Sequence, residues 1–108
     1  MAISCDTVES HNDWIKDLEA HGKVQIKFPI IGDENRTLAT QLKMLDPEEK
    51  DNASLPVTVR AVFVFGPDGK VKLTLTYPPA VGRSSDELIR VVDALQLGAK
   101  HPVASTCY

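Results

Sequence analysis

The sequence predicts a layered α/β domain with a mixed sheet flanked by helices, and two patterns carry that prediction. From Val59 to Phe65 the residues are almost all apolar, and after the turn Gly66-Pro67-Asp68-Gly69 the segment from Lys70 to Thr76 alternates polar and apolar residues. Such a pair of segments is typical of a β-hairpin with a buried inner strand and a more exposed outer strand. Capped, helix-periodic segments precede and follow it, so that the order is strand, helix, strand, helix, strand, strand, helix.

The first helix is predicted from its cap and its apolar spacing. Ala2 to Cys5 indicates a short strand, after which Asp6 and Thr7 cap a helix that ends at Gly22. One face of this helix carries side chains at helical spacing, and we expect Trp14 to be its core anchor. The residues of that face are Val8, His11, Trp14, Ile15 and Leu18.

The next elements are predicted in the same way. Val24 to Ile31 indicates a strand that runs to a sheet edge at Pro29, and Asp33 is expected to cap a second helix. That helix would turn Leu38, Leu42 and Leu45 inward. The polar stretch from Asp46 to Pro56 is typical of a solvated loop.

The last helix begins with the capping box Ser84-Ser85-Asp86-Glu87. Residues 101–108 have no periodicity and are expected to form a tail. The apolar face of the helix consists of Leu88, Val91, Val92 and Leu95.

Composition restricts the class of protein. The chain has 108 residues, of which 43% are hydrophobic and 25% charged, and a net charge of −3. These values are typical of one globular domain and unlike a disordered chain. Without a basic stripe we expect no nucleic-acid partner, and no segment approaches the roughly 20 apolar residues that span a bilayer. No secretory signal precedes the first strand, so a cytoplasmic location is expected.

The cysteine and histidine positions favour neither a metal site nor a redox pair. Cys5 and Cys107 lie near opposite ends of the sequence, without a CxxC motif and without histidine at ligand spacing. Both are expected to be free thiols in a reducing compartment. The simplest interpretation of Cys5 is a small buried hydrophobic residue.

Arg60 is the residue whose position asks for a functional explanation. It stands at the head of the apolar strand, where the chain leaves a polar segment. A guanidinium there offers five fixed donors and a permanent charge, which suit a thiolate or a carboxylate. The alternative is that its stem covers the sheet edge while its head meets water or a carboxylate.

From Ile3 to Ala104 the sequence resembles the central part of the one-cysteine peroxiredoxins, a subfamily of the thiol-specific antioxidant family. The matching segments are ISCDTVESHNDWIKDLEA, FPIIGDENRTLATQLKMLDPEEKD, LPVTVRAVFVFGPDGKVKLTLTYP, AVGRSSDELIRVVDALQL and AKHPVA. The resemblance implies a partial thioredoxin-like fold. It also implies reduction of hydrogen peroxide and organic hydroperoxides by a cysteine thiolate, which becomes a sulfenic acid.

The resemblance assigns roles to particular residues. Arg60 matches the arginine that contacts the peroxidatic thiolate and the peroxide, and Arg83 matches a second arginine that supports the same pocket. Asp68 matches an aspartate assigned to a phospholipase-type site in some animal members, although an ordinary turn aspartate is the simpler interpretation. Neither a cofactor nor a metal is implied.

The sequence departs from the family in its cysteine. The peroxidatic cysteine of the family lies in a Pro-x-x-x-Thr-x-x-Cys segment, which this sequence does not contain. We therefore expect a central fragment that is inactive alone. It would have a partial peroxiredoxin domain over residues 1–98 and a tail over residues 99–108 that leads to a further domain. In a remaining alternative, Cys5 is an unorthodox peroxidatic thiol. It would need a lowered pKa, which the negative charge of Asp6 beside it would oppose.

Two functional hypotheses follow. In the first, the chain belongs to a peroxidase that acts on hydroperoxides with a thiol reductant such as glutathione, and the full-length protein is a homodimer through the edge strand Lys70–Tyr77. In the second, the chain is a non-catalytic thioredoxin-like module for dimerisation or interaction through that edge.

Overall fold

Three helices and six strands make up the computed structural model, which describes residues 1–50 and 54–104. They are divided between two units, Met1–Thr58 and Val59–Tyr108. The strands form three two-stranded sheets, one parallel and two antiparallel. The combination of helices and sheets confirms the α/β class.

The first unit begins with a parallel strand pair joined through a helix. Strand β1 (Ala2–Ser4) pairs with β2 (Ile30–Gly32), and helix α1 (Val8–Gly22) connects them and contacts β2. As predicted, the Thr7 hydroxyl caps α1 by accepting a hydrogen bond from the Ser10 N–H at 3.1 Å. The helix ends after Gly22, where Lys23 adopts the left-handed conformation with φ of 51°.

The second strand is shorter than predicted. The segment 24–29 forms no strand, and Val24 and Phe28 are exposed. A side chain takes the place of a strand partner here, because the Ile26 N–H donates to Oε1 of Glu19 at 2.8 Å. Backbone pairing begins near Pro29, whose carbonyl accepts from the Ala2 N–H at 3.0 Å.

Trp14 does not act as a core anchor, so that prediction is wrong. Its side chain is 50% exposed, and Val8 on the same predicted face is also exposed. His11 is the buried residue of that face, while Ile15 and Leu18 are half-buried. Helical spacing therefore identified a face of which only the central part is covered.

Asp33 caps the second helix from outside its first turn. Helix α2 (Thr37–Gln41) has only five residues, and Arg36 occupies the formal N-cap with φ of 56°. The buried Asp33 carboxylate accepts hydrogen bonds from the Leu38 N–H at 3.1 Å and the Ala39 N–H at 2.8 Å. Leu38 is half-buried, but Leu42 is exposed, contrary to the prediction.

The segment predicted as a solvated loop contains a strand. Strand β3 (Leu45–Lys50) pairs antiparallel with β4 (Pro56–Thr58), with Leu45 opposite Thr58 and Asp46 opposite Val57. Cross-strand pairing therefore overrides the weak strand propensity of its charged residues. Residues 51–53 of the predicted loop lie outside the described residues.

In the second unit the predicted hairpin is present. Strand β5 (Arg60–Phe65) pairs antiparallel with β6 (Val71–Tyr77), and the register shifts after Val64. The turn is closed by a hydrogen bond from the Gly69 N–H to the Gly66 carbonyl at 3.0 Å, and Gly69 has φ of 75°. The inner strand is not buried on both faces, since its central residues are half-buried and Phe65 is 62% exposed.

Helix α3 (Ser85–Lys100) completes the second unit. The Ser84 hydroxyl caps it by accepting from the Glu87 N–H at 3.3 Å, as the capping box predicts. Val91 is buried, Leu88 and Leu95 are half-buried, and Val92 is exposed. The helix continues to Lys100 and so includes the first two residues of the tail predicted over residues 99–108, of which residues 105–108 lie outside the described part of the chain. Across the described residues, no helix is both long and apolar enough to cross a membrane.

Candidate functional site

The open end of the β5–β6 hairpin positions Arg60. This residue is the first of β5, directly opposite Tyr77 at the end of β6. Its side chain is exposed, and its Nε–H donates a hydrogen bond to the Pro79 carbonyl at 3.1 Å. The guanidinium is thus held beside the chain that leaves β6.

Arg83 reaches the same end of the hairpin from the loop before α3. It lies just before the cap residue Ser84, and its Nη1–H donates to the Ala61 carbonyl at 3.3 Å. Ala61 follows Arg60 in the strand. The loop between β6 and α3 therefore brings the second arginine back to the beginning of β5.

Neither arginine is neutralised by a carboxylate within residues 59–104 of its own unit. The ion pairs of this unit join Lys72 to Asp68 at 2.8 Å and Arg90 to Glu87 at 2.6 Å, and both pairs lie elsewhere. Two permanent positive charges with remaining N–H donors can hold an anion or an oxygen that gains negative charge during a reaction. Both residues that the sequence analysis selected thus form hydrogen bonds at the open end of the β5–β6 hairpin.

Cys5 has the environment of an unreactive thiol. It follows β1, is partly buried and forms no disulfide. Burial raises the pKa of this thiol, and although the charge of Arg36 opposes that effect, the carboxylates of Asp33 and Asp6 add to it. The thiolate is the nucleophilic form of cysteine, so a raised pKa argues against Cys5 as a peroxidatic residue.

Asp68 is held as a turn residue. Its Oδ1 accepts from the Lys70 N–H at 3.1 Å, and its Oδ2 pairs with Lys72. The hydrogen bond with Lys72 is the first cause that lowers the pKa of this carboxyl. Both oxygens are therefore engaged in the hairpin turn, which is what the simpler interpretation predicted.

The described residues contain no group of three potential metal ligands. Cys107 lies outside these residues.

Pro79 is a site residue that the sequence analysis missed, because it acts through its backbone carbonyl. The signal that could have found it is the Pro78-Pro79 pair at the end of a predicted strand, since proline at this position fixes a turn.

Comparison with known proteins defines the family of this chain. A model of the AhpC/TSA family matches residues 1–74, more than half of the chain. The chain therefore belongs to the AhpC/TSA family.

Within that family the chain is about half identical to peroxiredoxin-6 and to a 1-Cys peroxiredoxin. The chain is 51% identical to peroxiredoxin-6 of Rattus norvegicus over 109 aligned residues, which cover 97% of the chain and 49% of the rat protein. It is 50% identical to 1-Cys peroxiredoxin A of Oryza sativa subsp. japonica, with 97% of the chain and 48% of that protein covered. The chain thus spans about half the length of these curated relatives.

Solved structures give the same result for the fold. A cysteine-to-serine mutant of peroxiredoxin 6 from Arenicola marina aligns with a TM-score of 0.88 and 44% identity, over 97% of this chain and 49% of that one. A yeast mitochondrial 1-Cys peroxiredoxin aligns with a TM-score of 0.81 and 42% identity, over 96% of this chain and 50% of that one. The fold is therefore that of a peroxiredoxin, with the thioredoxin-like architecture that the resemblance implied.

Proposed function

We propose that this chain is part of a thiol peroxidase that reduces hydrogen peroxide and organic hydroperoxides in antioxidant defence. The observation that carries the proposal is the identity of about one half to peroxiredoxin-6 and 1-Cys peroxiredoxins along 97% of the chain. The peroxidatic cysteine is supplied by a segment other than these 108 residues. The chain alone is therefore inactive, and Cys5 does not replace the missing nucleophile.

In the proposed reaction a cysteine thiolate attacks one peroxide oxygen. The S–O bond forms as the O–O bond breaks, and the leaving oxygen takes a proton to become water or an alcohol. The cysteine becomes a sulfenic acid. Two equivalents of a thiol such as glutathione then restore the cysteine, with formation of one disulfide and one water.

Arg60 is the arginine proposed to contact the thiolate and the peroxide. Its charge lowers the pKa of the attacking thiol, and its N–H groups stabilise the charge that develops along the O–O bond. Arg83 supports this arginine from the loop before α3, as its hydrogen bond to the Ala61 carbonyl suggests. The yeast relative, whose thiol-resolving mechanism runs via the glutathione and thioredoxin systems, supports a thiol as reductant.

A hybrid protein tests the peroxidase function. In it, these 108 residues replace the aligned residues of rat peroxiredoxin-6, which supplies the rest of the chain. We expect the hybrid to reduce hydrogen peroxide with glutathione, and Arg60→Ala to lower the second-order rate constant by about a hundredfold or more. Arg90→Ala is the matched control, because Arg90 pairs with Glu87 on the surface of α3. A folded hybrid without peroxidase activity would contradict the proposal.

The isolated chain tests the absence of a nucleophile. The fully reduced chain is mixed with a stoichiometric amount of hydrogen peroxide, and intact mass then locates any added oxygen. We expect no fast consumption. Rapid oxidation confined to Cys5 would show a relocated peroxidatic thiol and would overturn our assignment.

A second candidate is an interaction module that dimerises through the edge of the hairpin, and one observation favours it. Within the described residues of its unit, β6 pairs only with β5, so no strand of that unit covers its other edge, where a second copy could pair. The structure begins this strand at Val71, one residue after the start of the predicted Lys70–Tyr77 segment. Such pairing would satisfy backbone groups that otherwise promote aggregation.

Sedimentation of the hybrid and of the isolated chain tests this interface. Thr74 is exposed on β6, and Thr74→Glu would place like charges close together across a two-fold strand pair. We expect this variant to shift the equilibrium toward monomer. The control Gln96→Glu makes the same charge change on exposed α3. A monomer at all concentrations before any substitution would exclude the interface.

The cytoplasmic location stays a prediction from the sequence. So does the division into a partial domain of residues 1–98 and a tail of residues 99–108.

A further inference from the structure

Two proline turns of the same form lie at the two ends of strand β6. One spans Gly66–Gly69 and is closed by the hydrogen bond from the Gly69 N–H to the Gly66 carbonyl at 3.0 Å. The other spans Pro78–Val81 and is closed by the hydrogen bond from the Val81 N–H to the Pro78 carbonyl at 2.9 Å. In each turn a proline occupies the second position, Pro67 or Pro79, where its ring presets φ.

The second turn contacts the candidate site. The carbonyl of Pro79, which the turn fixes in space, accepts the Nε–H of Arg60 at 3.1 Å. Neither Nη atom of Arg60 has a hydrogen-bond partner among the described residues of its unit. The guanidinium is therefore fixed along one edge, and the donors at its far end remain available.

We propose that the Pro78–Val81 turn is a positioning element that fixes Arg60 through Nε, so that Arg60 binds peroxide end-on through its two Nη groups. This inference rests on the proposed peroxidase function. It assigns a task to a backbone carbonyl and to the proline that orients it, neither of which touches substrate.

The hydrogen bond to Pro79 would help Arg60 bind peroxide because it preorganises the side chain. An arginine side chain has many rotamers, and an exposed one must lose that freedom before it can bind in a single geometry. The hydrogen bond to Pro79 removes part of this freedom in advance. It also leaves a fork of two parallel N–H directions, the arrangement that recognises two neighbouring oxygens.

Arg83 reinforces the same arrangement from the other end of the loop. Its Nη1–H donates to the Ala61 carbonyl, so that the loop is attached to β5 at both Arg60 and Ala61. The Pro78–Val81 turn follows β6 directly and contains the first of these attachments, Pro79. Loosening the turn should therefore release Arg60 without removing either arginine.

The first test uses the full 108-residue chain and NMR of its arginine Nε–H groups. Pro79→Gly loosens the positioning turn, and Pro67→Gly makes the same change in the matched turn at the other end of β6. We expect the Arg60 Nε–H to be protected from solvent exchange in the parent chain and in Pro67→Gly, and to lose that protection in Pro79→Gly. Equal protection in all three proteins would overturn the proposal.

The second test measures peroxide reduction by the hybrid protein that carries the same substitutions. Pro79→Gly should lower the second-order rate constant by about tenfold to a hundredfold, the usual effect of a misplaced catalytic group. It should also move the pH–rate profile to higher pH, because a mobile guanidinium stabilises the thiolate less. A merely structural turn would not move that profile. A rate and a profile equal to those of Pro67→Gly would overturn the proposal.

A replacement variant covers the case in which Pro79→Gly does not fold, and the exchange experiment separates this proposal from the proposed function. If Pro79→Gly does not fold, Pro79→Ala takes its place, with Pro67→Ala as its control, and the same outcomes apply on a smaller scale. If the unsubstituted hybrid folds without peroxidase activity, the proposed function fails. In that case the exchange experiment on the isolated chain still decides whether the turn fixes Arg60.

Discussion

Asp33 shows how one buried residue organises a short helix. Its carboxylate accepts the Leu38 and Ala39 N–H groups, and both oxygens are used. A helix of five residues has little intrinsic stability, so α2 depends on such contacts. The carboxylate therefore substitutes for the side-chain cap that Arg36 at the formal N-cap does not provide.

We predict that Asp33→Ala lowers the free energy of unfolding by about 1–3 kcal/mol, because it leaves two backbone donors without their acceptor. Asp33→Asn should cost less, since its amide oxygen can still accept. Urea unfolding followed by circular dichroism measures the change. Glu34→Gln, on the exposed neighbour, is the control and should have almost no effect. Equal values for Asp33→Ala and the control would exclude the capping role.

Cys5 should react slowly with alkylating reagents. Burial raises its pKa, the charge of Arg36 lowers it, and the carboxylates of Asp33 and Asp6 raise it further. The pKa is therefore above the ordinary value. In the Cys107→Ser background we expect iodoacetamide to modify Cys5 more slowly than free cysteine at neutral pH, with a rate that rises on going to alkaline pH. Intact mass against time measures it. A rate above that of free cysteine at neutral pH would contradict the raised pKa.

The same shift makes stability depend on pH at the alkaline end. Because folding raises the pKa, the folded chain holds the thiol proton more tightly than the unfolded chain does. The contribution to stability is complete below the unfolded pKa of about 8.5 and is lost as the pH rises through the folded value. Cys5→Ala should reduce this alkaline loss.

At the scale of elements, the end of α1 offers a stabilising substitution. Lys23 adopts φ of 51°, a conformation that costs a residue with a Cβ more than it costs glycine. We predict that Lys23→Gly raises the free energy of unfolding by about 0.5–1 kcal/mol. Lys27→Gly serves as the control, since Lys27 is exposed and does not have a positive φ, and it should not stabilise. Urea midpoints of the two variants provide the comparison.

The elements that the sequence predicted well are those defined by local chemistry. The turn Gly66–Gly69 and the caps Thr7 and Ser84 each form a hydrogen bond within three residues, so their signals are contained in short segments. Strand β3 was missed because Asp46 and its neighbours pair only through contact with β4, which follows a connecting segment. The limited coverage of Trp14 was missed because periodicity identifies a face but not what covers it.

In the candidate site, too, the sequence predicted the residues with local signals and missed those that depend on contacts between distant segments. The hairpin pattern placed Arg60 at the head of β5, and the resemblance selected Arg83. The carbonyls of Pro79 and Ala61 that hold these guanidinium groups have no sequence signal of their own. Arg36 near Cys5 was missed for a similar reason, since the two residues approach only in the folded unit.

At the scale of the whole molecule, few hydrophobic side chains are buried among the described residues. Ala39 and Val91 are their only buried hydrophobic residues, while large ones such as Trp14 and Phe65 are at least half exposed. Because apolar burial is the main favourable contribution to folding, we predict marginal stability for the isolated chain.

We expect thermal unfolding of the isolated chain to be broad, with a midpoint below about 45 °C, the lower limit for ordinary small domains. Differential scanning calorimetry measures the midpoint and its enthalpy. The hybrid with rat peroxiredoxin-6 segments should unfold at a higher temperature if those segments cover the exposed side chains. A sharp transition of the isolated chain in the ordinary range would contradict this prediction.

The parallel pairing of β1 with β2 has a consequence for synthesis on the ribosome. Ala2 pairs with Ile30, whereas Phe65 pairs with Val71 across a tight turn, so the first sheet requires a much longer loop to close. At the usual elongation rate of about 5–20 residues per second, β1 leaves the ribosome roughly one to six seconds before β2. During that interval β1 lacks the partner with which the structure pairs it, and a chaperone that binds extended segments could bind it.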